Sequence, residues 1–385
     1  MKSAKSFKEI ILYIFMAKIT ISAIKADIGA IGGHTKPSKE LLDKVTSFIK
    51  ENGLKTSLLT DFYVGYIGDD IHIIAIHKKG INNSEIHGLA FNAFKEATNI
   101  AKEQGLYGAG QDILKEAFSG NVRGLGPGVA EMEIEERPNE AVVVFAADKT
   151  EPGAFNLPLY YCFVEVSKCP GLILSPYMRK GFEFVIMDVS YTEKDKIIRL
   201  KTPEEYLDIA SLLFNPHRFV VESIYSRYSN EPVVSVSTTR LHNIAGKYVG
   251  KDDPIMIARV QKPFPATEEI CSVFAVAHYV GGDTRGSHNM ALMPVKLNTQ
   301  ASGYLCNPIV SAFVFSLKNG RITAYTDGFD DPVFDEVRRK AALKSFLMRE
   351  QGFVMPAMLP MEEIEYTALQ ERIEELEKKF EFRES

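Results

Sequence analysis

The chain has 385 residues, more than one hydrophobic core usually serves, so two domains or one large layered protein are expected. Apolar residues make up 45% of it and charged residues 25%, as in ordinary globular proteins, and the formal net charge is −5. A negative charge without a basic run argues against nucleic-acid binding. Small phosphorylated molecules fit better, because a few well-placed lysines and arginines suffice to bind them.

The N-terminal segment has several lysines followed by an apolar run at 10–15, which imitates a signal peptide. No small-residue cleavage site follows, and the run is far below the roughly 20 residues that span a bilayer. Met16 stands just before the first clear strand pattern. We therefore predict that residues 1–15 are an extension outside the fold. Residues 16–385 are expected to form a single domain, since no linker interrupts them.

The first half of the chain alternates strand and helix patterns. Apolar residues alternate at 19–24 in a strand that leads to Asp27, and two helices are predicted at 38–50 and 84–104. Between the helices, 62–77 reads as two strands hinged at Gly68-Asp69-Asp70. The uniformly apolar segment 141–147 predicts a strand buried on both faces.

Strand patterns dominate the second half. They are predicted at 182–189, 219–225, 233–237, 255–260, 272–277 and 309–317. Asn319-Gly320 is a hairpin turn signal before a further strand at 321–325, and helices are predicted at 335–351 and 366–382. The fold class predicted is α+β: a single large domain, built as a layered α-β-β-α sandwich with mixed or antiparallel sheets.

The four cysteines show neither C-x-x-C spacing nor an accompanying histidine pattern. We predict reduced, mostly buried thiols, as in a cytosolic protein, and no zinc site.

The loop 246–254 has the densest chemistry of the chain. It places Lys251, Tyr248 and the pair Asp252-Asp253 between two glycines and a proline. Lys251 could form a Schiff base with a ketone, with Tyr248 moving protons beside it. The two carboxylates could hold divalent cations.

Carboxylates recur where other predicted strands end. Asp27, the pair Asp69-Asp70 and the pair Asp148-Lys149 offer hard oxygen ligands of the kind magnesium prefers. His34, in a glycine-rich loop after Asp27, is also predicted to be a site residue. Taken alone, the hairpin tip Asp69-Asp70 is equally compatible with a simple turn, because Asp favours turn conformations. The glycine-rich segment 120–128 could bring amides near a phosphate, but it matches neither the Walker nor the Rossmann spacing.

Together these segments resemble the archaeal-type fructose-1,6-bisphosphate aldolase/phosphatase family. The resemblance runs from residue 16 to the C-terminus. The matching segments are 24–29, 68–70, 105–112, 119–137, 147–154, 245–254, 285–288 and 365–367. It implies a bifunctional gluconeogenic enzyme and a single catalytic domain. The first reaction condenses dihydroxyacetone phosphate with glyceraldehyde 3-phosphate to fructose 1,6-bisphosphate, and the second is a magnesium-dependent hydrolysis of the 1-phosphate to fructose 6-phosphate.

The resemblance also implies roles for individual residues. Lys251 would form the Schiff base, Tyr248 would donate and accept the aldol proton, and Asp27 would act as base for the attacking water. Several magnesium ions would be bound by Asp27, His34, Asp69, Asp70, Gln111, Asp148, Asp252 and Asp253. The sugar phosphate would be held by His34, Tyr107, Gly120, Asn121, Lys149, Gln261, Lys262, Arg285 and Tyr366. A cytoplasmic homo-octamer without nucleic-acid or membrane partners is the implied context.

Two positions depart from the family pattern. The segment 304–308 lacks the aspartate expected there, and Lys262 stands where the family has histidine. Both changes concern substrate contacts, so they bear on affinity more than on the type of reaction. Two alternatives stay open: a magnesium-dependent phosphatase that uses Lys251 only as a phosphate-binding charge, and a non-catalytic sugar-phosphate binding protein.

Overall fold

The computed structural model describes residues 18–113, 126–191, 194–238, 251–281, 289–301, 307–350 and 368–383. The prediction for the extension 1–15 therefore lies outside the described residues. Within these ranges, no helix is long and apolar enough to cross a membrane.

A four-stranded antiparallel sheet forms one half of the fold. Its strands are β1 (Lys18–Asp27), β2 (Asp61–Ile67), β3 (Asp70–His77) and β4 (Gly128–Glu135), in the order β2-β3-β1-β4. Helices α1 (Lys39–Ile49) and α2 (Ser84–Glu103) accompany it. Each begins at a side-chain cap that accepts backbone N–H groups: Ser38 for α1 and Asn83 for α2.

A larger sheet forms the second half. Its strands are β5 (Glu140–Asp148), β6 (Phe182–Asp188), β7 (Asp195–Lys201), β8 (Phe219–Ser226), β9 (Pro232–Val236), β10 (Ile255–Val260), β13 (Met293–Pro294), β14 (Ile309–Lys318), β15 (Arg321–Asp327) and β16 (Glu381–Arg383). Their order is β13-β14-β5-β10-β9-β8-β6-β7-β16, with β15 paired to β14, and neighbours are antiparallel except β13 and β14. A separate ribbon pairs β11 (Tyr279–Gly281) with β12 (Asn289–Ala291).

Three apolar layers divide this architecture. One lies between α1, α2 and the small sheet, and a second lies between the two sheets. The third packs the far face of the large sheet against helices. These helices are α3 (Asn156–Phe163), α5 (Tyr206–Leu213), α6 (Thr267–Ser272), α7 (Pro332–Glu350) and α8 (Ala368–Glu377); a short α4 (Gly171–Leu174) lies between α3 and β6. The predicted single-domain α+β sandwich with α-β-β-α layers is confirmed.

Some predicted elements were wrong. The strand expected at 272–277 is instead the end of α6 and a 3₁₀ turn (Val273–Ala275), because a short apolar run cannot distinguish a buried strand from a buried helix. The helix expected at 366–382 gives way to β16 at its C-terminal end. Strands β4 and β7 were missed, although β4 alternates buried apolar residues with glutamates, which is the pattern of a strand with one face buried. Cys162, Cys169 and Cys271 are buried free thiols, as predicted, and Cys306 lies outside the described residues.

Candidate active site

The layer between the sheets turns from apolar to charged at one end. Side chains alternate along a strand, so the face of β1 that carries Ile21 and Ala23 next presents Lys25 and Asp27. In the same way, the face of β3 that carries Ile74 presents Asp70. The register pairs Asp27 with Asp70 across the two strands.

The large sheet supplies the opposite wall of this charged end. The face of β5 that carries Val144 and Ala146 ends at Asp148, and Asp253 stands before Ile255 of β10. Both carboxylates therefore point between the sheets, toward the side chains of β1 and β3. We call the resulting set the carboxylate cluster; its members are Asp27, Asp69, Asp70, Asp112, Asp148, Asp252 and Asp253.

Asp69 lies at the centre of one group of ion pairs. Its side chain is fully buried, and its Oδ2 lies 2.7 Å from Nδ1 of His34. Lys149 donates to Asp69 and, at 2.9 Å, to Oδ1 of Asp148. The ring of Tyr107 meets His34 edge-on at 4.8 Å between centroids. Despite burial, the Lys149 and His34 interactions hold the pKa of Asp69 below its usual value.

Lys251 lies in a second group. Its Nζ is 2.9 Å from Oδ1 of Asp252 and 3.6 Å from Oδ2 of Asp112. The same oxygen of Asp112 accepts the backbone N–H of Asp27 at 2.9 Å, and its other oxygen accepts that of Gly126 at 3.1 Å. Burial lowers the pKa of Lys251, but Asp112, Asp252 and further carboxylates outweigh it and raise that pKa above its usual value.

Backbone conformation fixes two of these residues. Lys149 and Asp253 have positive φ angles of 61° and 48°, a strained conformation for residues other than glycine that often occurs at functional sites. Thr150 holds the second of them: its N–H donates to Oδ1 of Asp253 at 2.7 Å, and its carbonyl accepts the Asp253 N–H at 2.9 Å.

Crowding and burial disfavour the ionised form of four carboxylates of the cluster. Burial, with neighbouring carboxylates, raises the pKa of Asp27 and Asp148 well above the ordinary value. For the same reasons the pKa of Asp253 rises to about 7 and that of Asp112 to about 6. The cluster therefore has excess negative charge that Lys25, Lys149 and Lys251 do not neutralise.

The donor set fits hard divalent cations. Ligand atoms of Asp27, His34 and Asp69 lie within 4.8 Å of one another, and so do those of Asp69, Asp70 and Asp148. Among the described residues, Oδ2 of Asp148 is buried and has no hydrogen-bond partner, although such atoms are normally satisfied. Carboxylate oxygens in this density suit magnesium better than softer metals.

Comparison of the sequence with known proteins identifies the family to which the chain belongs. Residues 18–381 match the family model described as fructose-1,6-bisphosphatase. The chain belongs to the fructose-1,6-bisphosphatase family. It is 56% identical over 363 residues to the fructose-1,6-bisphosphate aldolase/phosphatase of Thermus thermophilus, covering 94% of this chain and 99% of that protein. It is 43% identical over 365 residues to the protein of the same name from Methanothermobacter marburgensis, covering 94% of this chain and 99% of that protein.

The structure of this family member brings many of the predicted site residues together. Those in contact with one another around the cluster are Asp27, His34, Asp69, Asp70, Tyr107, Asp148, Lys149, Lys251, Asp252 and Asp253. Gln111 immediately precedes Asp112 in the turn that reaches Asp27. Tyr248, Gly120, Asn121, Arg285 and Tyr366 lie outside the described residues.

Gln261 and Lys262 are not brought to this site. They follow the C-terminal end of β10, whereas Asp253 precedes its first residue. At about 3.3 Å per residue, the six residues of β10 alone put about 20 Å between the two positions. Arg137 holds them there, donating to the carbonyls of Gln261 at 3.1 Å and Lys262 at 2.9 Å.

Two site residues were missed from the sequence. Lys25 is only 2% exposed and donates to Asp70. A signal existed: Lys25 and Asp27 share one face of β1, and that face is otherwise apolar. Asp112 joins Asp27 to Lys251, but it sits in a turn without a recognisable pattern.

Proposed function

We propose that the chain is a bifunctional fructose-1,6-bisphosphate aldolase/phosphatase. It condenses dihydroxyacetone phosphate with glyceraldehyde 3-phosphate and then hydrolyses the 1-phosphate of the product. The observation that carries the proposal is the buried Lys251 within a cluster that holds excess carboxylates. A single site thus offers both an amine for carbonyl chemistry and ligands for cations. The names of the relatives support the same pair of reactions.

Lys251 performs the first reaction. Its neutral amine adds to the ketone carbon, and loss of water leaves an imine that accepts electrons when the neighbouring carbon loses a proton. That carbon then attacks the aldehyde, and water releases the product and restores the amine. Tyr248, three residues earlier, is proposed to carry the protons. In the described structure Lys251 is paired with Asp252, so the amine must leave this ion pair and lose its proton before it can attack.

The second reaction uses the carboxylates. The proposed magnesium ligands are Asp27, His34, Asp69, Asp70, Gln111, Asp148, Asp252 and Asp253. Bound magnesium supplies electrostatic stabilisation of the phosphoryl oxygens and lowers the pKa of water. Asp27 is the proposed base: burial and its carboxylate neighbours raise its pKa, which suits it to accept the proton of the attacking water. Lys149 and Tyr107 border the same space and are proposed to orient the sugar phosphate, as are Gly120, Asn121, Arg285 and Tyr366.

Gln261 and Lys262 imply a second copy of the chain. Because β10 separates them from Lys251 by about 20 Å, they reach a substrate at a carboxylate cluster only if the cluster belongs to a neighbouring copy. We therefore propose a homo-oligomer in which this loop serves the adjacent site. The buried free thiols are consistent with the proposed cytoplasmic location.

Trapping with borohydride tests the proposal. Purified protein is incubated with dihydroxyacetone phosphate and borohydride, and peptide mapping locates the adduct; phosphate release from fructose 1,6-bisphosphate is measured in parallel with and without magnesium. We expect an adduct on Lys251 and magnesium-dependent phosphate release. Phosphate release without an adduct would indicate a phosphatase that lacks aldolase activity. The absence of both signals would indicate a non-catalytic binding protein.

A further inference from the structure

Lys25 is a charged residue that the two proposed reactions do not use. It lies on the apolar inter-sheet face of β1, where its side chain is 2% exposed, and its Nζ donates to Oδ2 of Asp70. A lysine is almost never buried to this degree unless it is paired. Its position at the charged end of the layer therefore calls for an explanation beyond packing.

The surroundings of Lys25 show what it compensates. Its amine interacts electrostatically with Asp70, Asp253 and Asp148, which approach from both sheets, and with the like charge of Lys251. Asp70 and Asp253 come from different sheets, so a positive charge between them offsets a repulsion that would push the sheets apart. Lys25 thus lies among carboxylates that are proposed to bind cations. Unlike a bound metal ion, its positive charge is covalently attached to the chain.

We propose that Lys25 is a positioning residue that serves as the fixed cation of the carboxylate cluster. Its bond to Oδ2 of Asp70 orients that carboxylate, so that Asp70 meets an added cation in one orientation only. The same charge keeps the cluster assembled when no divalent ion is bound. This inference rests on the proposed function, because it assigns Lys25 a task in the same site.

Thermal unfolding of Lys25→Met, with and without magnesium, tests the inference on the full chain. In EDTA, the melting temperature should fall by about 5 °C or more, since breaking a buried ion pair leaves a buried charge uncompensated. Magnesium should recover more of the stability in the variant than it adds to the wild type. The matched control is Lys18→Met, the same change on the same strand, where the lysine is exposed and paired to Glu133. It should behave as the wild type.

The double variant Lys25→Met/Asp70→Asn gives the second measurement. If Lys25 offsets the charge of Asp70, the double variant should be more stable in EDTA than Lys25→Met alone. Phosphate release by Lys25→Met should show kcat reduced about 100-fold with KM less affected, as expected for a misplaced carboxylate.

The outcomes separate this inference from the proposed function. An equal loss of stability with and without magnesium, together with additive variants, would show that Lys25 only packs the layer and would overturn the inference. A wild type that magnesium stabilises but that releases no phosphate would overturn the proposed function alone. The inference would still stand in that case if magnesium recovered more stability in Lys25→Met than in the wild type and Asp70→Asn rescued the variant.

Discussion

Two clusters of buried charge lie at opposite ends of β10, and they differ in how well their positive and negative charges balance. At the C-terminal end, Arg259 donates to Glu140 at 3.1 Å and 2.8 Å and to Glu231 at 3.1 Å, while Arg137 also donates to Glu140. Both guanidinium groups stack on Phe264. Burial opposes the charge of Glu140, but the arginines hold its pKa below the usual value. Here each charge has a partner within the chain.

The carboxylate cluster at the N-terminal end of β10 is unbalanced instead. The pKa values of Asp27, Asp112, Asp148 and Asp253 are raised, and a buried oxygen of Asp148 has no partner in the part of the chain that the structure describes. Removing one partner from a balanced buried cluster destabilises the fold, whereas an unbalanced cluster already lowers stability until another ion or a substrate joins it. The difference indicates which end of the strand carries the chemistry.

The largest effect is expected at the unbalanced end, from Lys251→Arg. Arginine keeps the charge but cannot form an imine, because its guanidinium stays protonated. Aldol condensation should fall to the background rate while phosphate release stays measurable. Coupled assays of both reactions check this, with Lys296→Arg, at an exposed lysine, as the control. Condensation near the wild-type rate would disprove the Schiff-base role.

Asp70→Asn should reduce phosphate release by roughly 10²–10³-fold, on the scale of losing one strong transition-state contact. The amide has nearly the same shape but no charge with which to bind magnesium. A magnesium titration of the rate measures this, and Asp330→Asn, at an exposed carboxylate, is the control. If the rate and its magnesium dependence were unchanged, the hairpin tip would be a simple turn without a role in binding magnesium.

At the balanced end, Arg259→Met should cost stability rather than chemistry. It leaves Glu140 with a buried charge short of a partner, at a cost of about 3–5 kcal/mol. Denaturant unfolding should show this loss, while borohydride trapping on the folded variant persists. Arg199→Met removes an exposed pair with Glu183 and should cost less than about 1 kcal/mol. Loss of trapping in folded Arg259→Met would mean that the two ends are not independent.

Buried histidines outside both clusters should contribute to the response to mild acid. Burial lowers the pKa of His77 and of His278 to about 4 from the usual 6.5. The unfolded chain therefore takes up protons that the folded chain does not, and each of these histidines lowers stability by about 2–4 kcal/mol as pH falls from about 6.5 to about 4. The raised pKa values of Asp112 and Asp253 act in the opposite direction over the same range, so the test is the difference between two proteins. Melting temperatures should show that His278→Asn loses less stability on acidification than the wild type. If the melting temperature of His278→Asn depended on pH as it does in the wild type, the acid response would have to come from the charged clusters.

The smallest effect is expected from deleting residues 1–15. The sequence predicts that this extension lies outside the fold, so both activities and the melting temperature should be unchanged. A melting temperature several degrees lower would indicate that its apolar side chains pack on the domain, at about 1.5–3 kcal/mol each.

The sequence predicted the parts of this molecule that short patterns determine. The hairpin at Asp69-Asp70 and the buried strand that ends at Asp148 were recognised because their turns and apolar runs are local. Lys25 was overlooked because a lysine in an alternating strand normally faces solvent. Its burial depends on the second sheet, which no local pattern reveals.

The separation of Gln261 from Lys251 was missed for a related reason. Ten positions along the chain suggest proximity, and the family resemblance assigns both residues to the substrate. Only the extended conformation of the intervening β10 places them at opposite ends of the sheet. Spacing in sequence therefore predicted the kinds of groups better than it predicted how far apart they lie in the folded chain.

Gly68 has a consequence for how the two sheets are aligned. Its φ is +56°, and a Cβ at this position would overlap the carboxylate of Asp148. The tip of one sheet thus touches the last residue of a strand in the other, at a distance that excludes every side chain. Sliding either sheet by one residue would destroy this contact along with the ion pairs around it. The hairpin tip therefore fixes how the two sheets are aligned, and with it the relative position of the two halves of the site.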